Sequence, residues 1–285
     1  MKLKVAGVCV LFNPINEMIL NINSYINELG ILYLIDNSDK PLSAQLPFLK
    51  TSNKQIKYIC NNENLGIATA LNIAARYAIQ EGYEWLLTMD QDSKASLNML
   101  SILYDFIQNT SIPNIGIVAA QPDTPIRKKR KESGHTVMDT VITSGSLVNL
   151  NIYTLVGGFE DKLFIDYVDH YFSLGVRQNG YCIIQVNNAI LHHTLGNSSV
   201  KYFFGIKMIP TNHNQLRKFY MTRNRLYLYK RYFKVFPMFV FKDIRQFFKE
   251  IIKLLLYEDN KITQLNCIYK GMQAYRKGIF GKFIL

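Results

Sequence analysis

Asp90 and Asp92 are the residues whose type and spacing point most directly to chemistry. They follow the mostly apolar run 85–89, which is typical of a buried strand that reaches the surface at its carboxyl end. Because side chains alternate along a strand, both carboxylates point the same way. Two like charges there favour a divalent cation that also holds a phosphorylated ligand, since hard cations prefer oxygen ligands. An ordinary acidic turn is the alternative for this pattern alone.

The elements that must position these aspartates alternate along the chain. Strand-like segments lie at 5–12, 31–35, 56–60, 85–89, 115–120, 141–150 and 182–186, with 189–193 leading to a polar terminus, and helical patterns lie at 15–29, 67–80, 97–107 and 164–179. This alternation predicts a mainly parallel sheet flanked by helices. The ligand crevice of such a sheet lies at the carboxyl ends of its strands. The polar strand exits at Asp36, at 61–64 and at Asp90 should therefore converge.

Charge and cysteine content limit the class of protein. The 285 residues carry a net charge of +12, which favours nucleic acid, an anionic membrane surface or phosphorylated substrates as partners. The four cysteines lie far apart, so neither a zinc site nor a disulfide framework is indicated, as expected in a reducing cytoplasm. No apolar stretch reaches the ~18 residues of a membrane span. The basic run 127–131 fits a solvated loop or a loop facing phosphate or membrane.

The end of the chain differs in character. Residues 217–236 and 239–257 alternate aromatic residues with Lys and Arg at helical spacing. Such amphipathic helices either lie on an anionic membrane surface or pack on their own domain. We predict one domain at 1–205, followed by a helical region at 206–285.

Several short motifs occur together in one order between about residues 5 and 232. They include Ile35-Asp36-Asn37-Ser38, Asn64-Leu65-Gly66, Thr88-Met89-Asp90-Gln91-Asp92-Ser93, Ser144-Gly145-Ser146, Gly157-Gly158-Phe159, Phe164-Ile165-Asp166-Tyr167-Val168-Asp169, His193-Thr194-Leu195-Gly196 and Arg223-Asn224. In this combination the chain resembles the family-2 glycosyltransferases, which have the Rossmann-like GT-A fold, and among them bacterial rhamnosyltransferase-like enzymes. The last fifty residues match only loosely. The resemblance implies that 1–205 form the catalytic domain, with a nucleotide-sugar half at about 1–95 and an acceptor half at about 96–205.

The resemblance implies a role for each matching residue. Asp36 would read the pyrimidine of a nucleotide-sugar, Asn64 and Gly66 would form the donor-binding turn, and Asp90 would contact the donor ribose or the metal shell. Asp92 and His193 would hold Mn²⁺ or Mg²⁺, Asp169 would be the catalytic base, and Arg223 would help to hold the diphosphate or the acceptor. Two assignments stay open, because Asp166 could replace Asp169 and His192 could replace His193.

The activity implied by the resemblance is inverting sugar transfer. The donor would be a dTDP- or UDP-sugar, with dTDP-rhamnose favoured, and the acceptor a glycan or a polyprenyl-diphosphate-linked glycan of bacterial surface polysaccharide synthesis. The enzyme would be cytoplasmic and peripheral at the inner face of the cell membrane, without a nucleic-acid partner; a homo-oligomer is left open.

Two other functions fit parts of the pattern. Sugar nucleotidyltransferases place a loop rich in Gly and Arg after the first strand, where this chain has Phe12-Asn13-Pro14-Ile15-Asn16. A basic nucleic-acid-binding module needs a continuous basic stripe. The basic residues concentrate instead at 127–131 and after residue 201.

Overall fold

The computed structural model describes the residues 3–40, 55–123, 133–193, 201–203, 206–208, 215–258 and 260–283. The basic run at 127–131 lies outside these residues. Contacts group the chain into two compact units, one of Met1–Phe164 with Val168–Thr194 and one of Ile165–Tyr167 with Leu195–Leu285. This division falls before the predicted domain boundary at 205, which itself lies outside the described residues.

The first unit begins with four parallel strands. They are β1 (Val5–Leu11), β2 (Ile31–Asp36), β3 (Ile56–Cys60) and β4 (Trp85–Asp90). The spatial order is β3-β2-β1-β4, with Leu11 beside Asp36 and Val10 beside Asp90. Because these strands run in one direction, their carboxyl ends share one edge of the sheet. The predicted convergence of the exits after Asp36 and Asp90 is thus confirmed for the backbone.

The sheet continues with antiparallel as well as parallel pairs. The further strands are β5 (Ser93–Ala95), β6 (Ile115–Asp123), β7 (His135–Val137), β8 (Ser146–Asn149) and β9 (Cys182–His193). Beyond β4 the order is β8-β6-β9-β5, and β7 also pairs with β9. The strand β8 is antiparallel to both β4 and β6, whereas β6 and β9 are parallel. The sheet is therefore mixed. Its pairs are all parallel among β1 to β4, in the predicted nucleotide-sugar half, and both parallel and antiparallel beyond β4.

Helices cover this sheet, and an apolar core fills the space between them. They are α1 (Glu17–Asn23), α2 (Ile67–Gln80), α3 (Met99–Asn109), α4 (Leu150–Val156) and α5 (Val168–Gln178), with 3-10 turns at Ile26–Glu28 and Asp161–Leu163. The core combines buried residues of β1, β2 and β4, such as Cys9, Leu34 and Leu87, with helical residues such as Met18 and Leu103. Burial at this scale is the main favourable term in folding.

Three sequence-based element bounds were wrong. The helix predicted at 15–29 ends at Asn23, because the hydroxyl of Ser24 bonds back to the Asn21 carbonyl and Tyr25 leaves the helical conformation. The strand predicted at 141–150 spans only Ser146–Asn149, since Gly145 has φ +74° and Asn149 caps helix α4. A short apolar run does not distinguish strand from helix.

The third wrong bound concerns the helix predicted at 164–179. It begins only at Val168, because Phe164, Asp166 and Tyr167 have φ between +62° and +65°. A non-glycine residue in this left-handed conformation costs of order 1–3 kcal/mol and persists only where its surroundings hold it there.

The second unit contains the antiparallel pair β10 (Lys201–Phe203) and β11 (Ile206–Met208), then α6 (Gln215–Tyr232), α7 (Pro237–Tyr257) and α8 (Lys261–Lys277). Helix α6 buries polar side chains, among them Lys218, Arg223, Asn224 and Arg225. Helix α7 buries only Val240 and Leu254. Among the described helices, none is both long and apolar enough to cross a membrane.

Candidate functional site

The Asp90-Gln91-Asp92 segment leaves the sheet in a fixed conformation. The Asp90 N–H donates to Ser144 Oγ at 3.0 Å. The Gln91 side chain accepts from the Phe12 N–H at 2.9 Å and donates to the Phe12 carbonyl at 3.1 Å. This reciprocal pair fastens the residue between the two aspartates to the end of β1. Asp90 is half-buried and Asp92 exposed, so the carboxylates leave the sheet at its carboxyl-end edge.

The backbone of His193 lies next to this segment. In the β5–β9 pair His193 is opposite Ser93, the residue that follows Asp92. The side chain of His193 is outside the described residues, so its role as a metal ligand stays a prediction. His192 has its Nδ1 3.5 Å from an Asp123 carboxylate oxygen. That contact gives the His192 ring a carboxylate partner, and the choice between His192 and His193 as the ligand stays open.

The donor set at this edge suits a divalent cation that the substrate helps to bind. Within the described part of the chain, no three side chains of His, Cys, Asp or Glu are grouped closely enough to hold a metal alone. Mg²⁺ is commonly bound by one or two carboxylates together with substrate phosphates. Asp90 and Asp92 fit that arrangement.

Asp36 is held rigidly at the end of β2. Its carboxylate accepts from the Tyr58 hydroxyl at 2.6 Å and from the Ser38 N–H at 2.9 Å. Burial, and then this hydrogen bond, raise the pKa of Tyr58, so the phenol stays protonated and continues to donate. Asp36 is fully buried. Its contact with a nucleotide base therefore stays a prediction, whereas its hydrogen bonds at the end of β2 are observed.

A chain of amides ties the 61–66 turn to the same strand end. Asn61 donates to the Asn37 side-chain oxygen at 2.8 Å, and Asn37 donates to the Gly66 carbonyl at 3.0 Å. The Asn64 side-chain oxygen accepts from the Gly66 N–H at 2.9 Å, which is an Asx-type turn. Gly66 has φ +86°, and a Cβ there would lie 2.6 Å from the Phe164 carbonyl oxygen. This position therefore needs glycine for two reasons.

Asp169 lies in the first turn of α5, in the same unit as the strand ends. Its carboxylate accepts from the His170 N–H at 2.8 Å. Together with Thr88, Ser146, Phe159 and Phe172 it lines a small crevice of about 10 Å³. Thr88 precedes Asp90 on β4, so the crevice adjoins the carboxyl end of that strand. A partly apolar crevice with one carboxylate suits a proton acceptor for a bound hydroxyl.

Asp166, the alternative base, has other partners. Arg217 donates to both of its carboxylate oxygens at 2.8 to 3.2 Å, and Asn224 donates to the Asp166 carbonyl at 2.9 Å and to the Ile165 carbonyl at 2.7 Å. These bonds lie within the second unit and hold the strained 165–167 segment. A carboxylate paired with a guanidinium fork is a weaker candidate for a general base, so the contacts favour Asp169.

Arg223 is buried, whereas the resemblance implied that it contacts the diphosphate or the acceptor. It is 1% exposed, and its guanidinium donates to the Gly281 carbonyl at 2.9 Å and to the Asn224 side chain at 3.0 Å. The rings of Phe219, Tyr220 and Phe280 lie 5.0 to 5.5 Å from it. Burial lowers the pKa of Arg223 to about 10. These contacts do not support the expected hold on a diphosphate, because the guanidinium is enclosed within its own unit.

Three residues of the site escaped the sequence reasoning. Gln91, Tyr58 and Asn37 orient the predicted residues and were not singled out. Gln91 carried a signal, since an amide between two aspartates at a strand end can bond to a neighbouring backbone. Tyr58 carried none, because its contact with Asp36 depends on the pairing of β2 with β3.

The fold and the site define a class. The structure is similar to GalNAc-T7 with UDP, GalNAc and Mn²⁺ (TM-score 0.63, 14% identity, 97% of this chain and 57% of that one). It is also similar to the mannosyltransferase PcManGT of Pyrobaculum calidifontis, in complex with GDP-Man and Mn²⁺ (TM-score 0.61, 12% identity, 97% and 76%), and to S. aureus TarS (TM-score 0.54, 12% identity, 95% and 43%). The chain thus spans little more than half of the GalNAc-T7 chain. Its fold is the GT-A fold of glycosyltransferases.

The sequence assigns the family. Residues 13–175 match the Glycosyl transferase family 2, which is more than half of the chain, so the protein belongs to this family. A relative is the dTDP-rhamnosyl transferase RfbF of Shigella flexneri, 28% identical over 251 residues, which are 81% of this chain and 81% of the relative. Family membership favours sugar transfer over the nucleotidyltransferase and nucleic-acid-binding alternatives.

Proposed function

We propose that the protein is a metal-dependent, inverting rhamnosyltransferase that uses dTDP-rhamnose. The observation that carries this proposal is the common edge of β1, β2 and β4, where Asp36, the Asn64–Gly66 turn and the Asp90-Gln91-Asp92 segment leave the sheet in one unit. Rhamnose as the sugar is supported by the similarity to the dTDP-rhamnosyl transferase over most of both chains.

Asp90 and Asp92 would hold Mn²⁺ or Mg²⁺ together with the donor diphosphate, and His193 would complete the ligand set. When bound, the ion neutralises charge that develops on the leaving nucleoside diphosphate. The Gln91–Phe12 pair keeps both carboxylates at the strand end. The Asn64–Gly66 turn, tied to Asn37, forms the wall on which the nucleotide rests.

Asp169 would act on the acceptor. The acceptor hydroxyl oxygen attacks the anomeric carbon, the bond from that carbon to the diphosphate oxygen breaks, and dTDP leaves. The hydroxyl proton passes to a carboxylate oxygen of Asp169. Attack opposite the leaving group inverts the anomeric configuration and needs no enzyme nucleophile. The crevice beside Asp169 adjoins β4, which ends at Asp90.

The acceptor would be a glycan or a polyprenyl-diphosphate-linked glycan of bacterial surface polysaccharide synthesis. A lipid-linked acceptor is anchored in the bilayer, so the reaction would take place at the inner face of the cell membrane. The net charge of +12 supports such a location, because that surface is anionic.

The donor proposal is tested by thermal melting with dTDP-rhamnose, dTDP, UDP-N-acetylglucosamine or GDP-mannose, each with and without Mn²⁺. A ligand at a hundred times its Kd stabilises the native state by about 2.7 kcal/mol, which raises the melting temperature by roughly 5–10 °C. We expect that shift with the dTDP ligands and only with Mn²⁺.

The matched variants are Asp92→Ala and Asp105→Ala, since Asp105 is an exposed carboxylate on α3. Asp92→Ala should melt like the wild type without ligand and lose the Mn²⁺-dependent shift, whereas Asp105→Ala keeps it. A shift retained in Asp92→Ala would remove this residue from the metal site. A larger shift with another nucleotide-sugar would replace dTDP-rhamnose as the donor.

A further inference from the structure

One face of α7 in the second unit is apolar and exposed to solvent. Phe241 and Phe248 are 55% and 60% exposed, and Ile252, Leu255 and Met238 are also exposed. Their spacing of three, four and seven residues places them along one side of the helix. A helix that only packs on its own domain turns such a stripe inward, and α7 does the opposite.

Charge is sorted between the two sides of this helix. Its two acidic residues, Asp243 and Glu250, face inward, where both accept from Arg225 at 3.0 Å. Glu258, which follows the helix, pairs with Lys218 at 3.2 Å. The basic residues Lys242, Arg245 and Lys249 are exposed. The outward face of α7 therefore combines apolar and basic side chains without an acidic one.

We propose that this α7 face, defined by Met238, Phe241, Lys242, Arg245, Phe248 and Lys249, docks the protein on an anionic lipid bilayer. Apolar side chains enter the boundary between headgroups and acyl chains, and Lys and Arg contact anionic headgroups. The inference extends the proposed function, because a lipid-linked acceptor requires the enzyme at that surface.

The same charge sorting disfavours a second copy of the chain as the occupant. A twofold contact brings the same patch of each subunit together. On this face it would set Arg245 and Lys249 of one copy against like charges of the other. Like charges at an interface oppose association. An anionic bilayer complements both the charge and the apolar stripe.

The test is flotation of the full chain with vesicles of phosphatidylglycerol and phosphatidylcholine, or of phosphatidylcholine alone, over a range of salt. No donor or acceptor is present. Each basic residue near an anionic surface contributes about fivefold in affinity. We expect the triple variant Lys242→Gln, Arg245→Gln, Lys249→Gln to lose on the order of a hundredfold in binding to anionic vesicles.

A matched triple, Lys4→Gln, Arg76→Gln and Lys162→Gln, removes the same charges from exposed positions of the first unit and should bind nearly as the wild type does. The pair Phe241→Ser and Phe248→Ser should lose binding at low salt as well. Absence of wild-type flotation, or equal losses in the two triples, would overturn the proposal. A third outcome would also overturn it: a wild type that is a dimer without lipid and a Phe241→Ser, Phe248→Ser variant that is a monomer. That result would assign the face to contact with a second copy.

The donor-induced melting shift is measured on every variant. Because the α7 variants leave the strand-end site untouched, they should keep the shift of the wild type. Loss of vesicle binding with the shift retained supports the docking face. A wild type that floats on anionic vesicles but shows no shift with any nucleotide-sugar would contradict the donor proposal and leave the docking face standing.

Discussion

The carboxyl-end edge of β1, β2 and β4 and the helices α6 and α7 use polar residues in opposite ways. At the strand ends, Asp90 and Asp92 emerge from a buried strand toward solvent. In α6, Arg223 and Arg225 are 1% and 2% exposed and are bound by groups of their own unit. A polar residue in a motif therefore does not by itself mark a ligand contact. Burial and partners decide whether it serves the chemistry or the fold.

Asp169 and Asp166, two aspartates of one motif, give the clearest test of whether a polar residue serves the chemistry or the fold. Asp169→Asn should keep the donor-induced melting shift and reduce transfer by about 10² to 10⁴, because only the proton acceptor is lost. The rate of dTDP release in the presence of acceptor measures transfer. Asp166→Asn is the matched variant, and its main effect should be a stability loss of about 1 kcal/mol from the weakened pair with Arg217. The reverse pattern would move the base to Asp166.

Arg225 tests whether the buried charges of the second unit are structural. Arg225→Met leaves Asp243 and Glu250 without their guanidinium, and breaking such a buried pair costs about 3–5 kcal/mol. Urea unfolding followed by circular dichroism should show this loss, while the donor-induced melting shift persists. Arg245→Met, an exposed arginine on α7, should change stability by less than about 0.5 kcal/mol. Equal losses of stability in the two variants would mean that the buried arginine is no more structural than the exposed one.

Gly66 tests the rigidity of the strand-end site. In Gly66→Ala, the new Cβ meets the Phe164 backbone and the alanine is held at φ +86°. We expect dTDP affinity to fall about tenfold, because the turn must shift to relieve strain of order 1–2 kcal/mol. Gly82→Ala shares the positive φ (+76°) but has no atom within 4 Å of the added Cβ. Titration calorimetry should show weakened binding in Gly66→Ala alone; equal affinities would mean that the turn does not shape the donor site.

Tyr58 gives the smallest expected effect. Tyr58→Phe removes one hydrogen bond to Asp36, worth about 1 kcal/mol, and should weaken dTDP binding about fivefold. Tyr104→Phe removes a comparable bond, to the Glu28 carbonyl at 3.1 Å in the same unit, and should leave binding unchanged. If both variants bind as the wild type does, Asp36 needs no support from Tyr58.

Local patterns were enough to find the strand ends, because each apolar run stops where its polar residues begin. The same patterns failed where contacts distant in sequence decide. The three-residue strand β5 exists only because β9 lies beside it, and Arg223 is buried by Phe280 and Gly281 from the end of the chain. The 164–167 segment has a helical pattern, yet three of its residues have positive φ, and Asn224 and Arg217 hold part of it in that conformation. Asn149 offered an overlooked signal, since Asn before an apolar run is a common N-cap.

The contact between the Asn64–Gly66 turn and Phe164 also bears on the order of events in a catalytic cycle. The Ile67 N–H donates to the Phe164 carbonyl at 2.7 Å, and Phe164 begins the segment that leads to Asp169. Under the proposed function, a donor bound against the turn would restrain Phe164 through this bond. In kinetic terms such a coupling would favour an ordered mechanism, in which the donor enters before the acceptor and the nucleoside diphosphate leaves last.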